Sequence, residues 1–213
     1  MKTFHFRPLF VASTFFGIAC SEPDAKNTAV AANVQRDSTF VLQNGRNVVD
    51  LLGDGTPAEV FVAWRGNYNA HGFSTVSFSV KTRSDLDDST LLWQVVPFVN
   101  GPDDGTTGRV AYLTQEGADC TLGDLRVIQH QHHTAEIVVA HRAMGESFAD
   151  TATVQFYYYQ LIRNTGEIAG KPPFSFTYVR TVNAKHSWCD VNTAFDHELH
   201  LGATGIGRGE GGR

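Results

Sequence analysis

Four groups of residues have types and spacing suited to chemistry. The first is Asp50-Leu51-Leu52-Gly53-Asp54-Gly55-Thr56-Pro57-Ala58-Glu59. A D-x-D/N-x-D-G loop holds a hard cation by bringing alternate side-chain oxygens and one backbone carbonyl to a point. Asp50 and Asp54 fill the first and fifth positions, Gly55 permits the sharp turn and Glu59 follows, but Leu52 stands where a third ligand belongs. Two readings result. One is a weak site for a divalent cation such as Ca²⁺, with Asp50, Asp54 and Glu59 as ligands. The other is a Gly-Asp-Gly turn leading into a strand at Val60.

The second group is Arg65, Asn67, Asn69 and His71, at alternate positions between two strands. An extended backbone would turn all four to one side as a binding pocket, with the guanidinium suited to a carboxylate. A loop whose Asn side chains satisfy backbone groups is the competing reading. The third group is His130, His132, His133, His141, His197 and His200. Zinc needs three or four converging ligands, and His197-Glu198-Leu199-His200 brings its second His one residue too early for H-E-x-x-H, so solvated histidines are expected. The fourth runs from Asp119 to Arg126. Asp124 and Arg126 face the same way on a strand and read as members of a buried ion pair, with Arg142 or Asp190 as further partners.

No Gly-x-Ser-x-Gly, Ser-x-x-Lys or phosphate-cradling loop occurs, so nothing supports a serine hydrolase, a β-lactamase or an NTPase. A hydrolase built on Asp50, Asp54 and His71 would need the three to converge. The expectation is a protein that binds rather than catalyses.

The elements that must position these groups are strands. Val60, Val62 and Trp64 alternate with Phe61, Ala63 and Arg65, which predicts a strand covered on both faces. Val76, Phe78 and Val80 alternate with Thr75, Ser77 and Ser79, which predicts a half-exposed one. Further strands are expected at 91–98, 109–114, 125–129, 136–142, 153–161 and 174–181, separated by turn signals such as Asn100-Gly101-Pro102 and Asn164-Thr165-Gly166. Eight strands with short polar connections predict an all-β, mostly antiparallel sandwich or barrel. One helix is expected after Cys189, capped by Asp190, with Val191, Ala194, Phe195 and Leu199 on one face and Gly202 as its stop.

Composition and termini set the context. Of 213 residues, 42% are hydrophobic and 18% charged, which excludes a disordered tail and a coiled coil. A net charge of −5 argues against nucleic acid as a partner, since phosphate binding needs clustered positive charge. Residues 1–19 read as a secretory signal peptide: Lys2 and Arg7 precede an apolar run, which ends Gly17-Ile18-Ala19-Cys20. That ending resembles the lipobox of bacterial lipoproteins, which implies lipidation at Cys20; simple secretion and an uncut anchor are the other readings. With Cys20 taken by lipid, Cys120 and Cys189 remain as a pair that an oxidising periplasm would join, two free buried thiols being the alternative. Residues 20–38 then form a tether, 39–201 a single domain and 202–213, with six Gly in twelve residues, a flexible tail.

Taken in order, Asp50…Gly53-Asp54-Gly55, Arg65-x-Asn67-x-Asn69-Ala70-His71-Gly72-Phe73, Asp119-Cys120-x-Leu122-x-Asp124-x-Arg126 and Trp188-Cys189-Asp190-Val191-x-x-Ala194-Phe195 resemble the bacterial carbapenem intrinsic resistance proteins of the CarG type. The segments span about residues 45–201. The resemblance implies an antiparallel β-sandwich with a short terminal helix on the periplasmic side of the envelope, a homodimer and a cation site. It also implies a non-enzymatic role in tolerance to a carbapenem. Leu52 departs from the Asn or Asp expected in the cation loop. The family is similar in fold to periplasmic inhibitors of invertebrate-type lysozyme, so capture of a lysozyme-type enzyme is the alternative function; a cation-binding structural lipoprotein of the envelope is another.

Overall fold

Period-two alternation gives this chain its strands, and burial shows which face each strand hides. The computed structural model describes residues 38–69, 71–83, 90–105, 108–130, 133–166 and 168–207. In chain order the strands are β1 (Ser38–Phe40), β2 (Leu42–Gln43), β3 (Gly45–Val49), β4 (Ala58–Arg65), β5 (Phe73–Arg83), β6 (Leu91–Val95) and β7 (Phe98–Val99). Next come β8 (Tyr112–Leu113), β9 (Gln115–Glu116), β10 (Thr121–Gln129), β11 (Glu136–Arg142), β12 (Ala152–Arg163) and β13 (Phe174–Trp188). The helix α1 (Val191–Leu199) and β14 (Ile206–Gly207) complete the fold.

The protein is an all-β sandwich. The larger sheet has the order β1-β10-β11-β12-β13-β7, with β9 beside β10; the smaller has β3-β4-β5-β6, with β8 beside β5. Pairing is antiparallel throughout both sheets except where β7 lies on β13. Val60, Val62, Val76, Phe78 and Val80 of the small sheet share one buried core with Leu125, Val127, Ile137, Val139, Tyr159 and Phe176 of the large one. Phe78, Phe98 and Phe176 meet at ring-centroid distances of 5.0–5.8 Å. Such ring pairs each contribute about 1 kcal/mol beyond the area they bury.

The strands covered on both faces are β10 and β11, not β4. The Ile137-Val138-Val139-Ala140 run is buried on both sides, because Ile137 and Val139 face the sandwich core while Val138 and Ala140 face α1. Strand β4 hides only Ala58, Val60 and Val62; Phe61 and Trp64 are more than half exposed. Its alternation of two apolar sets therefore marks one core face and one bare apolar face. Strand β5 has the half-exposed pattern its sequence predicts.

Helix α1 packs Val191, Ala194 and Phe195 on Ile128, Val138, Val154 and Phe156. Asp190 caps it as expected, its side chain accepting from the Asn192 amide at 2.7 Å, a cap worth about 1 kcal/mol. The stop comes earlier than Gly202: His200 adopts a left-handed conformation (φ 56°) and its amide closes on Asp196 O. Beyond it the chain is still part of the fold. Leu42 N donates to Gly205 O at 2.9 Å and β14 runs parallel to β2, so residues 202–207 are structured rather than tail. The signal segment 1–19, Cys20, the tether up to 37 and residues 208–213 lie outside the described residues. No helix among the described residues is long and apolar enough to cross a membrane.

Candidate functional site

The β4–β5 connection and the strand end before it carry two exposed aromatics, Trp64 and Tyr68, beside two exposed amides, Asn67 and Asn69. Trp64, next to last in β4, lies opposite Ser74, and its indole lies over Gly66 and Gly72. A Cβ at Gly66 would sit 2.7 Å from the ring, and one at Gly72 2.8 Å from Nε1. The two glycines thus make the seat for this side chain, which stays 58% exposed. Between them the backbone does not remain extended, so the expectation of Arg65, Asn67, Asn69 and His71 on one side is corrected. Tyr68 takes a positive φ of 56°, unusual for a bulky residue, and is fully exposed. The Asn67 amide donates to His71 O, and His71 N donates to Asn69 Oδ1 at 2.9 Å.

These local bonds are why the chain turns: Asn side chains supply in a loop the backbone partners that a ladder supplies in a sheet. Arg65 folds back over the Phe73 ring at 5.2 Å, and the His71 ring rests on Phe148 at 4.4 Å. The four predicted residues therefore shape and anchor a loop that carries Trp64 at its base and Tyr68 at its turn. Those two aromatics were not singled out in the sequence; the flanking Gly66 and Gly72 were the available signal.

The Asp50 loop turns on hydrogen bonds from its own backbone amides to its two aspartates. Asp50 accepts from Gly53 N at 2.7 Å and from Gly55 N at 2.9 Å. Asp54 accepts from Thr56 N at 2.8 Å, and hydrogen bonding to Thr56 holds its carboxyl below the usual range. Glu59 is engaged elsewhere, bonded by Arg46 Nη2 at 2.7 Å and Nε at 2.9 Å. Leu51, fully buried, fixes the turn in the core, where its carbonyl accepts from Ala135 N. Among the described residues no three His, Cys, Asp or Glu side chains are grouped as a metal would require. A shallow cavity of about 160 Å³ beside the loop is lined by Leu52, Asp54, Thr134, Leu161, Arg163 and Phe174.

The histidines scatter. His130 lies 3.8 Å from Glu136, His197 stacks on Trp188, His200 ends the helix, and His132 lies outside the described residues.

The expected pair Cys120–Cys189 is a disulfide with Cα atoms 5.7 Å apart. It joins the start of β10 to the start of α1. Asp190 reinforces the junction, since its second carboxylate oxygen accepts from Thr121 N at 2.9 Å. Asp124 and Arg126 pair with one another at 3.0 Å, both buried, rather than with Arg142 or Asp190. Burial pushes the Asp124 carboxyl up, and the guanidinium beside it opposes that shift. Arg126 also donates to Asn192 Oδ1 and Gly202 O and lies over Phe195 at 4.2 Å, so one side chain ties β10 to the helix and to the segment after it. Arg142 is buried on the carbonyls of Ala143 and Phe148.

A second polar cluster has no counterpart in the sequence reading. Glu198 on α1 accepts from His186 Nδ1 at 2.9 Å, from the His186 amide at 3.1 Å and from Trp188 Nε1 at 3.1 Å. The His186 hydrogen bond, followed by that of Trp188, lowers the Glu198 carboxyl to about 2. The cluster fastens the helix to the far end of β13, a stretch not foreseen as strand.

No protein-family model matches the sequence, and no curated protein is significantly similar to it. The crystal structure of CarG is similar in fold, with a TM-score of 0.59 at 20% identity, covering 75% of this chain and 94% of the CarG chain. At that identity the likeness is one of fold.

Proposed function

We propose that this chain is a non-enzymatic binding protein on the periplasmic side of the bacterial envelope, with a protective role of the CarG type. The observation that carries the reading is the fold likeness over nearly the whole of CarG, joined to the segments that resemble its family. The disulfide supports an oxidising compartment, where such a bond persists. The test is deletion and overexpression of the gene in its own bacterium, scored by carbapenem sensitivity. A deletion strain that becomes more sensitive supports the role; sensitivity unchanged in both strains overturns it.

The same reading includes a homodimer. Phe61, Leu91, Trp93, Val95 and Leu113 lie on the outer face of the small sheet, opposite the buried Val76 and Phe78, and all are about half exposed. Five large apolar side chains exposed on one sheet face, with only the polar row of β5 between them, are what a second copy would cover. Light scattering should give a dimer mass that Phe61→Asp with Trp93→Asp halves; a monomer at all concentrations removes this part.

The fully exposed Tyr68 on a projecting loop favours one second reading, capture of a lysozyme-type enzyme by that loop. Pull-down of purified lysozymes of each type separates the two, and failure to retain any of them disposes of it.

A further inference from the structure

The non-enzymatic reading leaves the ligand unnamed, and the β4–β5 loop has the chemistry to name its class. We propose that the Trp64–Tyr68 loop is a docking platform for the pyranose rings of an uncharged oligosaccharide. The inference rests on the binding role proposed above but not on the carbapenem phenotype.

Three observations converge. The indole of Trp64 lies on Gly66 and Gly72, where any side chain would strike it, so the backbone fixes one side while the residue remains 58% exposed. Tyr68 is held in the left-handed region at the tip with its ring wholly in solvent. The amides beside them have spare capacity: Asn67 uses its Nδ2 and Asn69 its Oδ1 within the loop, and the opposite end of each amide has no partner among the described residues. One therefore offers an acceptor and the other a donor pair.

This combination suits a sugar ring. The faces of a pyranose carry C–H bonds whose positive ends meet the negative face of an aromatic ring, while the rim of hydroxyls needs both donors and acceptors. The internal bonds and the His71 contact with Phe148 fix the loop before binding, which lowers the cost of ordering it. A nucleic-acid base would also stack. It would bring phosphates to a chain of net charge −5, whose one cation within 64–72, Arg65, is folded over Phe73.

The experiment is calorimetry on the purified, oxidised protein with chitohexaose, cellohexaose and maltohexaose as probes, with Trp fluorescence in parallel. Saturable binding to at least one, weakened tenfold or more by Tyr68→Ala and by Trp64→Ala, is the expected result. Gly72→Ala should weaken it as well, by displacing the indole without removing it. Tyr68→Ala keeps the test valid if Trp64→Ala fails to fold, and Ile162→Ala, an exposed apolar residue on β12 of the other sheet, should leave affinity unchanged. Binding to none of the probes overturns the proposal. So does binding that Tyr68→Ala spares, or loop variants that lose lysozyme capture while sugar affinity stays the same. Because no antibiotic enters the assay, its failure leaves the protective role to be judged by the strain experiment.

Discussion

Replacing Cys120 and Cys189 together by alanine removes the covalent link across a sequence separation of 69 residues. Closing a loop of that length restricts the unfolded chain by an amount worth about 4 kcal/mol in the chain-entropy model. For a domain of this size the corresponding fall in Tm is about 10 °C. The native state should change little. Asp190 still accepts from Thr121 N and Asn192 N, and Arg126 still holds Asn192 and Gly202 O, so the base of α1 keeps its place without the bond. Circular dichroism of the folded variant should therefore match the parent, while its urea midpoint falls and its m-value rises as the unlinked chain exposes more surface. Alanine also removes two sulfur atoms from a partly buried junction, which costs about 1 kcal/mol by itself. Dithiothreitol-reduced parent protein isolates the loop contribution. Reduced and oxidised parent proteins that differ by less than about 1 kcal/mol would refute the reasoning and assign the stability of this junction to its hydrogen bonds.

Two further perturbations test other parts of the fold. Glu198 is held at about 2 against an ordinary 4.5, so its contribution is complete above pH 4.5 and is lost as pH falls from there toward 2. Thermal melts across that range should show the parent converging on Glu198→Gln, and parallel curves would contradict the assignment. At the Asp50 turn, Gly53 and Gly55 both have positive φ, but only a Cβ at Gly53 strikes the His133 backbone. Gly55→Ala should cost about 1 kcal/mol and Gly53→Ala clearly more by chemical denaturation; equal losses would mean that the turn does not pack on residue 133.

Strand periodicity made the sandwich legible. The two alternating sets in β5, the Cys pair and the Asp190 cap all appear where the sequence places them. What it did not reveal was cover. Val60 and Val62 against Phe61 and Ala63 looks the same whether the second apolar set is buried or bare, and that depends on where a helix 130 residues later comes to rest. The late part of β13, Asn183 to Trp188, carries Lys185 and His186 and gives only a weak hydrophobic signal, because Ala184 and Trp188 are its only apolar contacts with the core under α1 and its pairing with β12 and its bond to Glu198 do the rest. Strand β14 is invisible for a similar reason: two residues in a Gly-rich stretch are ordered by a parallel partner that comes 160 residues earlier.

At the candidate site the sequence supplied the residues but not their geometry. Alternate polar positions at 65, 67, 69 and 71 fit a strand and a loop equally, and only the hydrogen bonds of Asn67 and Asn69 decide between them. The decision changes the chemistry. A strand would have pooled Arg65 and His71 into a charged pocket, whereas the loop engages both with Phe73 and Phe148 and turns the aromatics outward. The same asymmetry runs through the whole molecule. Helix α1 covers the outer face of the large sheet, and buried polar ties at Arg126 and Glu198 hold it there. The small sheet has no such cover among the described residues, and Phe61 and Trp93 are exposed on its outer face. One outer face of the sandwich is covered by a helix and the other leaves apolar side chains exposed, an asymmetry that agrees with the binding role proposed above.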